Sequence, residues 1–420
     1  MPAHKANIHP AWYFTVLLLF TAFEFIRPQE SYLRFLSPLK LPALLSLTLV
    51  FIFLSNTKEY LKQEYGYKLL IYFWLYISFT IIYATNTRAT HGSSMLLMWA
   101  SIAFIFPMAV IIKDRKDLFK FINWWILIQT VLALIVLKQG GRGPGGFLED
   151  ENDVCLALVM ALPYPYFMSK VEGISFKTKL LYLVSVLLII SAALVTSSRG
   201  GALGLVAVLG IFVLMSKSPV KNLSVIVLSI VLLGGVVIST LPESYVEDMS
   251  SMTSSEDATG DERLYSWSIA WVMFLKNPVF GVGAGNYPWT NNLYYKESSM
   301  WEPGRKFLGG RAAHSVYFTL ISDLGGIGII LYLSLLKLAY SRAKSIKNKL
   351  HNAVDHENAL KFILLGKALI ASLVGFMVCG TFISVLYYPF FWYLLGMILV
   401  SFKVANDSFL DSDGNKIQLN

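Results

Sequence analysis

The chain has 420 residues, 55% of them hydrophobic and only 15% charged, with a mean hydropathy of +0.58. That composition excludes an ordinary soluble globular protein and points to a membrane protein. The formal net charge of +9 comes with no basic patch interleaved with aromatics, so no nucleic-acid partner is implied.

Apolar runs able, with tilt, to cross a hydrocarbon core of ~30 Å recur along the chain. In order they predict about twelve transmembrane helices, over 11–26, 41–55, 69–84, 95–112, 121–137, 154–168, 180–198, 202–216, 223–241, 315–336, 362–386 and 389–402. The expected fold is an all-α polytopic membrane protein, a single membrane-embedded domain over 1–420, with a large outer loop between the ninth and tenth helices. A polar decapeptide precedes the first run and no small-residue cleavage site follows it, so that run reads as a retained helix. With the N terminus inside, the inner segments carry 21 of the 35 lysines and arginines. The outer segments carry 13, six of them in one long loop that the positive-inside rule does not count, and Lys367 falls within a span. Both termini are therefore expected in the cytoplasm. Cys155 and Cys379 lie inside predicted spans, which implies no disulfide framework, and no metal-ligand spacing is present.

Charges at the membrane edge carry the candidate chemistry, because an ionisable group inside the bilayer costs at least ~2.5 to 3.5 kcal/mol and asks for a partner or a role. Glu24 and Arg27, three residues apart near an outer end, read as a local pair. In "GRGPGGFLEDENDVCLALVMALP" (141–163), Arg142 lies outside, and Glu149, Asp150, Glu151 and Asp153 cluster at the start of the sixth span. Helix capping explains one or two of these acids. Four exceed that need, so these acids, Asp150, Glu151 and Asp153 among them, are expected to hold nearby arginines in place or to bind a sugar's hydroxyls. In "LVTSSRGGALGLVAVL", Arg199 stands at the outer junction of two spans, and Gly200 and Gly201 open the next helix with unpaired N–H groups that favour an anion. A phosphate or diphosphate clamp and an arginine snorkelling to headgroups or bonding carbonyls both fit.

The outer loop, 242–313, is acidic and serine-rich in its first third. Within it, "DERLYSWSIAWVMFLKNP" places Leu264, Trp267, Trp271, Phe274 and Leu275 at helical spacing, which predicts an amphipathic helix on the outer interface. Arg263 opens this helix, either as a second clamp or as half of an ion pair with Asp261. The following "GVGAGNYPW" comes after a helix and precedes none, so it does not read as a nucleotide loop. Arg311 and His314, at the outer end of the tenth span, would share a helix face. His314 is either a general base open to the outer aqueous side or a structural interfacial histidine. Asp323, about half a turn away and deeper, is paired with Lys367.

Together, "TSSRGG" at the outer end of a span, a long loop with Arg263 followed by "NPVFGVGAGNY", and "HSVYFTLISDLGGIGIILYL" resemble the O-antigen ligase and polymerase superfamily over roughly residues 140 to 340. The "GPGGFLEDENDVCLALVMALP" stretch and the His-Ser-x-Tyr-Phe form are most similar to the exosortase-associated O-glycosylation ligase branch. Two positions depart from the pattern: many ligases have asparagine at Ser315 and glutamate at Asp323. The resemblance implies a metal-independent inverting glycosyltransferase of the GT-C type in the bacterial inner membrane, with no cofactor and its active site facing the periplasm. It would move a glycan from a polyprenyl diphosphate to a glycolipid (lipid A core) or protein hydroxyl. Arg199 and Arg263 would hold the diphosphate, joined by Arg311 and Arg142, and His314 would activate the acceptor. A polymerase of lipid-linked repeats is the enzymatic alternative. A transporter of lipid-linked sugar is the alternative from another class, and it predicts interrupted helices and midplane charges.

Overall fold

The computed structural model describes residues 10–57, 65–216, 218–220, 224, 258–307, 309–410 and 417–419. Among these the chain is helical and contains no sheet. The helices that matter here are α1 (Ala11–Phe25), α2 (Leu41–Ser55), α3 (Tyr65–Phe79), α4 (Thr87–Ala100), α5 (Phe106–Ile111), α6 (Arg115–Lys138) and α7 (Glu151–Ala161). They continue with α8 (Pro163–Met168), α9 (Phe176–Val195), α10 (Arg199–Leu214), α11 (Ala258–Lys276), α12 (Val316–Lys349), α13 (His356–Cys379) and α14 (Pro389–Ser408). Their starts follow local chemistry. Asn86, Asp114, Asp150, Ser175, Ser198, Ser315 and Asp355 each cap a helix by accepting a backbone N–H of its first turn.

Seven helices among the described residues are long and apolar enough to span a membrane, and the expectation of about twelve is corrected accordingly. The predicted spans at 41–55, 95–112, 121–137, 180–198, 315–336, 362–386 and 389–402 coincide with these seven. The runs at 11–26, 69–84 and 202–216 form the shorter helices Ala11–Phe25, Gly66–Ile82 and Arg199–Leu214. Fifteen residues of α1 rise only about 22 Å, less than the hydrocarbon thickness. The run at 154–168 is interrupted at Leu162, because Pro163 and Pro165 offer no N–H to the hydrogen-bond ladder. The run at 223–241 lies outside the described residues. An apolar run counts residues, whereas a spanning helix also needs length and satisfied backbone hydrogen bonds, and the two diverge at prolines and short runs. Seven spanning helices make this a multi-pass membrane protein.

The long helices pack around α13, which touches α7, α8, α10, α12 and α14. Small residues allow the close approaches. A Cβ on Gly201 would lie 2.2 Å from the Cys155 sulfur of α7, and one on Gly204 2.1 Å from the Cys379 sulfur of α13, so the two buried thiols fill the space that the glycines leave. Facing outward, α9 exposes Leu180, Leu183, Val184 and Leu187 in a stripe suited to lipid.

Nearly a third of the way along its length α12 breaks. Gly325 has φ 59° and ψ −159°, a conformation reserved for glycine, and the glycine-rich loop that follows α11 docks into the gap. Val282 N–H donates to the Ser322 carbonyl (2.9 Å), Gly283 N–H to the Asp323 carbonyl (2.9 Å) and Gly326 N–H to the Pro278 carbonyl (2.8 Å). The Asp323 carboxylate is fully buried and accepts Gly285 N–H (2.8 Å), Tyr287 N–H (2.9 Å) and the Tyr387 hydroxyl (3.0 Å). This corrects the expected Asp323–Lys367 pair, since Lys367 instead donates to the Met215 carbonyl at 3.1 Å. Glu24 and Arg27 likewise take other partners. Arg27 pairs with Glu30 at 2.5 Å, and Glu24 accepts the Tyr393 hydroxyl at 3.1 Å.

Candidate functional site

Three capped helix starts meet at one end of the bundle. Ser198, which caps α10, also donates its hydroxyl to Asn152 at the start of α7 (2.7 Å). The start of α12 is tied to the segment between α13 and α14, with Val316 N–H on the Gly380 carbonyl (2.8 Å) and Ser315 N–H on the Ser384 hydroxyl (3.3 Å). The same segment closes on α10, because Gly200 lies against Phe382 so tightly that a Cβ would come within 2.8 Å. Each helix start directs first-turn N–H groups and a partial positive charge to this end.

An aromatic shelf joins these starts to α11. Trp267 stacks on Phe318 with ring centroids 5.0 Å apart, lies 6.2 Å from Phe382, and donates its indole N–H to the Ala313 carbonyl at 2.9 Å. Ala313 and Ser315 are thereby buried and held from both sides. His314 stands between them, exposed, with φ 50°. Such a left-handed backbone costs a non-glycine residue roughly 1 to 2 kcal/mol, and it turns the imidazole out of the packed wall. Arg311 and His314 were expected to share a helix face, but α12 begins only at Val316, so they sit on the non-helical segment leading into it.

The charged groups around His314 come from separate elements. Although the His314 ring reaches solvent, the protein crowded around it partly desolvates it and lowers its pKa below the ordinary histidine value, the Arg263 and Arg311 guanidinium groups lower it further, and the Asp150 and Glu262 carboxylates oppose them. The net direction is a neutral ring with a free lone pair at neutral pH. Arg311 is held by Glu262 at 2.5 Å. Arg263 lies half-buried one turn before Trp267 on α11, and Asp261, its expected partner, pairs with Arg305 instead. Asp150, the α7 cap, accepts the Asn152 N–H at 2.8 Å. Asp153, one turn on, has a buried Oδ1 with no hydrogen-bond partner among the described residues. Burial, with Asp150 and Glu151 beside it, pushes its carboxyl up to about 7.

Arg199 is exposed at the first position of α10, between buried Ser198 and Gly200. It is connected to the histidine wall through Gly200, Phe382 and Trp267. Arg142 is also exposed, on a loop whose Gly141 abuts the Val195 carbonyl ahead of Arg199, and it stands at the edge of this region. Thus His314, Arg263, Arg311 and Asp150 are in electrostatic contact, with Glu151 and Asp153 beside Asp150, while Arg199 and Arg142 occupy the adjoining corner. Sequence reasoning missed Glu262, the Trp267–Phe382 shelf and Tyr388. Tyr388 lies near Asp153 and Asp150, which, after burial, raise its hydroxyl pKa and keep it a neutral donor. The available signal was Pro389, which marks a helix start directly behind Tyr388.

Residues 184–333 match the family model described as O-antigen ligase. The match covers the second part of α9, all of α10 and α11 and the first half of α12, with Arg199, Arg263, Arg311 and His314 inside it. It covers less than half of the chain and gives no support to the exosortase-associated branch. An uncharacterized protein of Haemophilus influenzae is 22% identical over 294 residues, which cover 66% of this chain and 71% of that protein.

Proposed function

We propose that this chain is a glycan ligase of the bacterial inner membrane, transferring a saccharide from a polyprenyl diphosphate carrier to a hydroxyl of a glycolipid or protein on the periplasmic side. The observation that carries this reading is the meeting of His314 with Arg263, Arg311 and Asp150 where three capped helices begin. The match to the O-antigen ligase family supports the same chemistry. In the transfer, the acceptor oxygen attacks the anomeric carbon as its proton passes to the His314 ring, and the bond from that carbon to the diphosphate oxygen breaks with inversion. Arg199, Arg263, Arg311 and Arg142, with the helix starts, take up the charge left on the diphosphate. Asp150, Glu151 and Asp153 face the sugar or acceptor hydroxyls. No step calls for a metal or a redox cofactor.

Two further features fit this reading. A groove of about 520 Å³, lined by Phe20, Leu96, Trp99, Ala103 and Phe147, runs up to Tyr388 and suits a prenyl chain arriving from the bilayer. Helix α11 has two apolar faces: Tyr265, Ile269 and Met273 are buried, whereas Leu264, Trp271 and Leu275 are about half exposed. The exposed face suits an interfacial helix within the 242–313 loop, roofing a single membrane-embedded domain.

A transporter of lipid-linked sugar is the second reading, favoured by the broken helix at Gly325. Against it, Asp323 beside the break is saturated by two N–H donors and a tyrosine. Reconstitution in proteoliposomes with lipid-linked donor decides among the readings. Product that forms only when a separate acceptor is added supports the ligase. Donor chains lengthening on donor alone would indicate a polymerase, and donor crossing the bilayer without acceptor would indicate a transporter.

A further inference from the structure

At the other end of the bundle, between α6 and α9, lies a groove of about 920 Å³ that the transfer reaction does not use. The 20 residues of α9 run from this groove to the corner beside Arg199, a rise of roughly 30 Å, so the groove is a membrane thickness from His314. Its floor is apolar and includes Phe119, Trp124, Leu127 and Leu181. Leu127 is 41% exposed and Leu181 50%, which opens the groove sideways onto the leucine stripe of α9.

Among the described residues, the charged side chains lining this groove are all cations: Arg115, Lys116, Lys120 and Lys361. The neighbouring acids lie outside the lining. Asp355 holds Arg115 at 2.5 Å, Glu357 holds Lys361 at 2.9 Å, and Asp114 and Asp117 occupy the cap and first turn of α6. Lys116 and Lys120 are exposed, and the Lys120 ammonium sits 4.6 Å above the Phe14 ring.

We propose that this groove binds an anionic phospholipid, with its phosphate among Lys116, Lys120 and Arg115 and an acyl chain along Phe119, Trp124 and Leu181. The two halves of the site demand both parts of such a molecule. A soluble anion has no use for an apolar floor open to the bilayer, and a zwitterionic lipid satisfies the floor while bringing its own cation to the collar. Cations at headgroup depth beside an apolar groove are the arrangement that selects anionic lipid, and the volume falls in the ~300 to 1,000 Å³ range of sites that enclose an organic ligand. The proposal is independent of the transfer reaction.

Native mass spectrometry of the purified full-length protein, titrated with phosphatidylglycerol or phosphatidylcholine of identical acyl chains, tests it. The wild-type protein should bind phosphatidylglycerol at least tenfold more tightly. Lys116→Gln with Lys120→Gln should abolish that preference, while Lys344→Gln with Lys347→Gln, on α12, should leave it intact. Leu181→Trp, which fills the floor, should weaken both lipids with unchanged thermal unfolding. Equal binding of the two lipids by the wild-type protein overturns the proposal. So does a preference that survives the Lys116/Lys120 change, or displacement of the lipid by millimolar glycerol phosphate, which would show a site for the soluble anion.

Discussion

At His314 the protein places a neutral imidazole on a strained backbone between two pinned neighbours, and this gives the transfer reaction a distinctive pH profile. Because partial desolvation, Arg263 and Arg311 lower the pKa, the ring accepts a proton throughout the neutral range and becomes protonated only in acid. The transfer rate should therefore be level from neutral pH upward and fall below it, with a midpoint under the ordinary ~6.5. Arg311→Gln should move that midpoint upward, whatever it does to the maximal rate. Asp153 acting as the base would place the midpoint at about 7. His314→Ala should cost ~10² to 10⁴ in rate while the purified protein still binds lipid-linked donor. If more than about a tenth of the rate survives, the histidine is structural and Asp150, Glu151 and Asp153 become the candidates. At Arg199 the test is geometric. Arg199→Lys keeps the charge but loses the planar fork, so it should fail nearly as badly as Arg199→Ala at equal membrane levels. Full transfer by the lysine variant would take Arg199 out of the site.

Among the elements, α12 and the glycine-rich loop behave as one unit. A methyl group on Gly325 would require a conformation essentially closed to other residues and would approach the Gly281 nitrogen and the Val279 oxygen to 2.6 Å. Gly325→Ala should therefore cost ~1 to 3 kcal/mol or more, read as a fall in the thermal midpoint of the detergent-purified protein. Asp323→Asn substitutes an amide, with one acceptor oxygen in place of two, where three donors converge. It should destabilise the protein by a similar ~1 to 3 kcal/mol. Wild-type melting of both variants would show that the docked loop is not part of the cooperative fold. The pattern of "GVGAGNYPW" announced a tight loop, since Gly281, Gly283 and Gly285 all adopt positive φ. Its docking place was not legible, because the Ser322 and Asp323 groups that receive it lie some forty residues further along the chain.

For the molecule as a whole, the lysine and arginine asymmetry was counted over twelve alternating spans, and with seven long helices among the described residues it no longer fixes both termini on one side, so cysteine labelling measures orientation directly. Glu302→Cys should react with a membrane-impermeant maleimide in intact spheroplasts, and Lys344→Cys only after lysis. Labelling of Lys344→Cys in intact cells would place the His314 end in the cytoplasm and remove the periplasmic donor from the proposal. The number of spanning helices was overestimated for a physical reason. Hydropathy registers apolar composition, but the run at 154–168 carries Pro163 and Pro165, and the runs in α1 and α10 stop short of the bilayer thickness.

Composition and periodicity alone determined that this is a helical, multi-pass membrane protein. The apolar runs also placed the starts of α1, α2, α12 and α14 within one residue, because those starts are local in sequence, and ran six to eight residues late at α4, α6 and α13, whose polar first turns precede the apolar run. The order of "TSSRGG", Arg263 and the His314 segment along the chain marked the candidate residues for the same reason, as short motifs. Tertiary structure alone decided their partners. Asp323 turned from Lys367 to the glycine loop, Asp261 from Arg263 to Arg305, and His314 left the helix for a left-handed turn next to Ala313, whose carbonyl Trp267 holds. A charge in a low-dielectric interior takes the donor that packing brings within hydrogen-bond reach, and packing joins residues without regard to their separation in sequence.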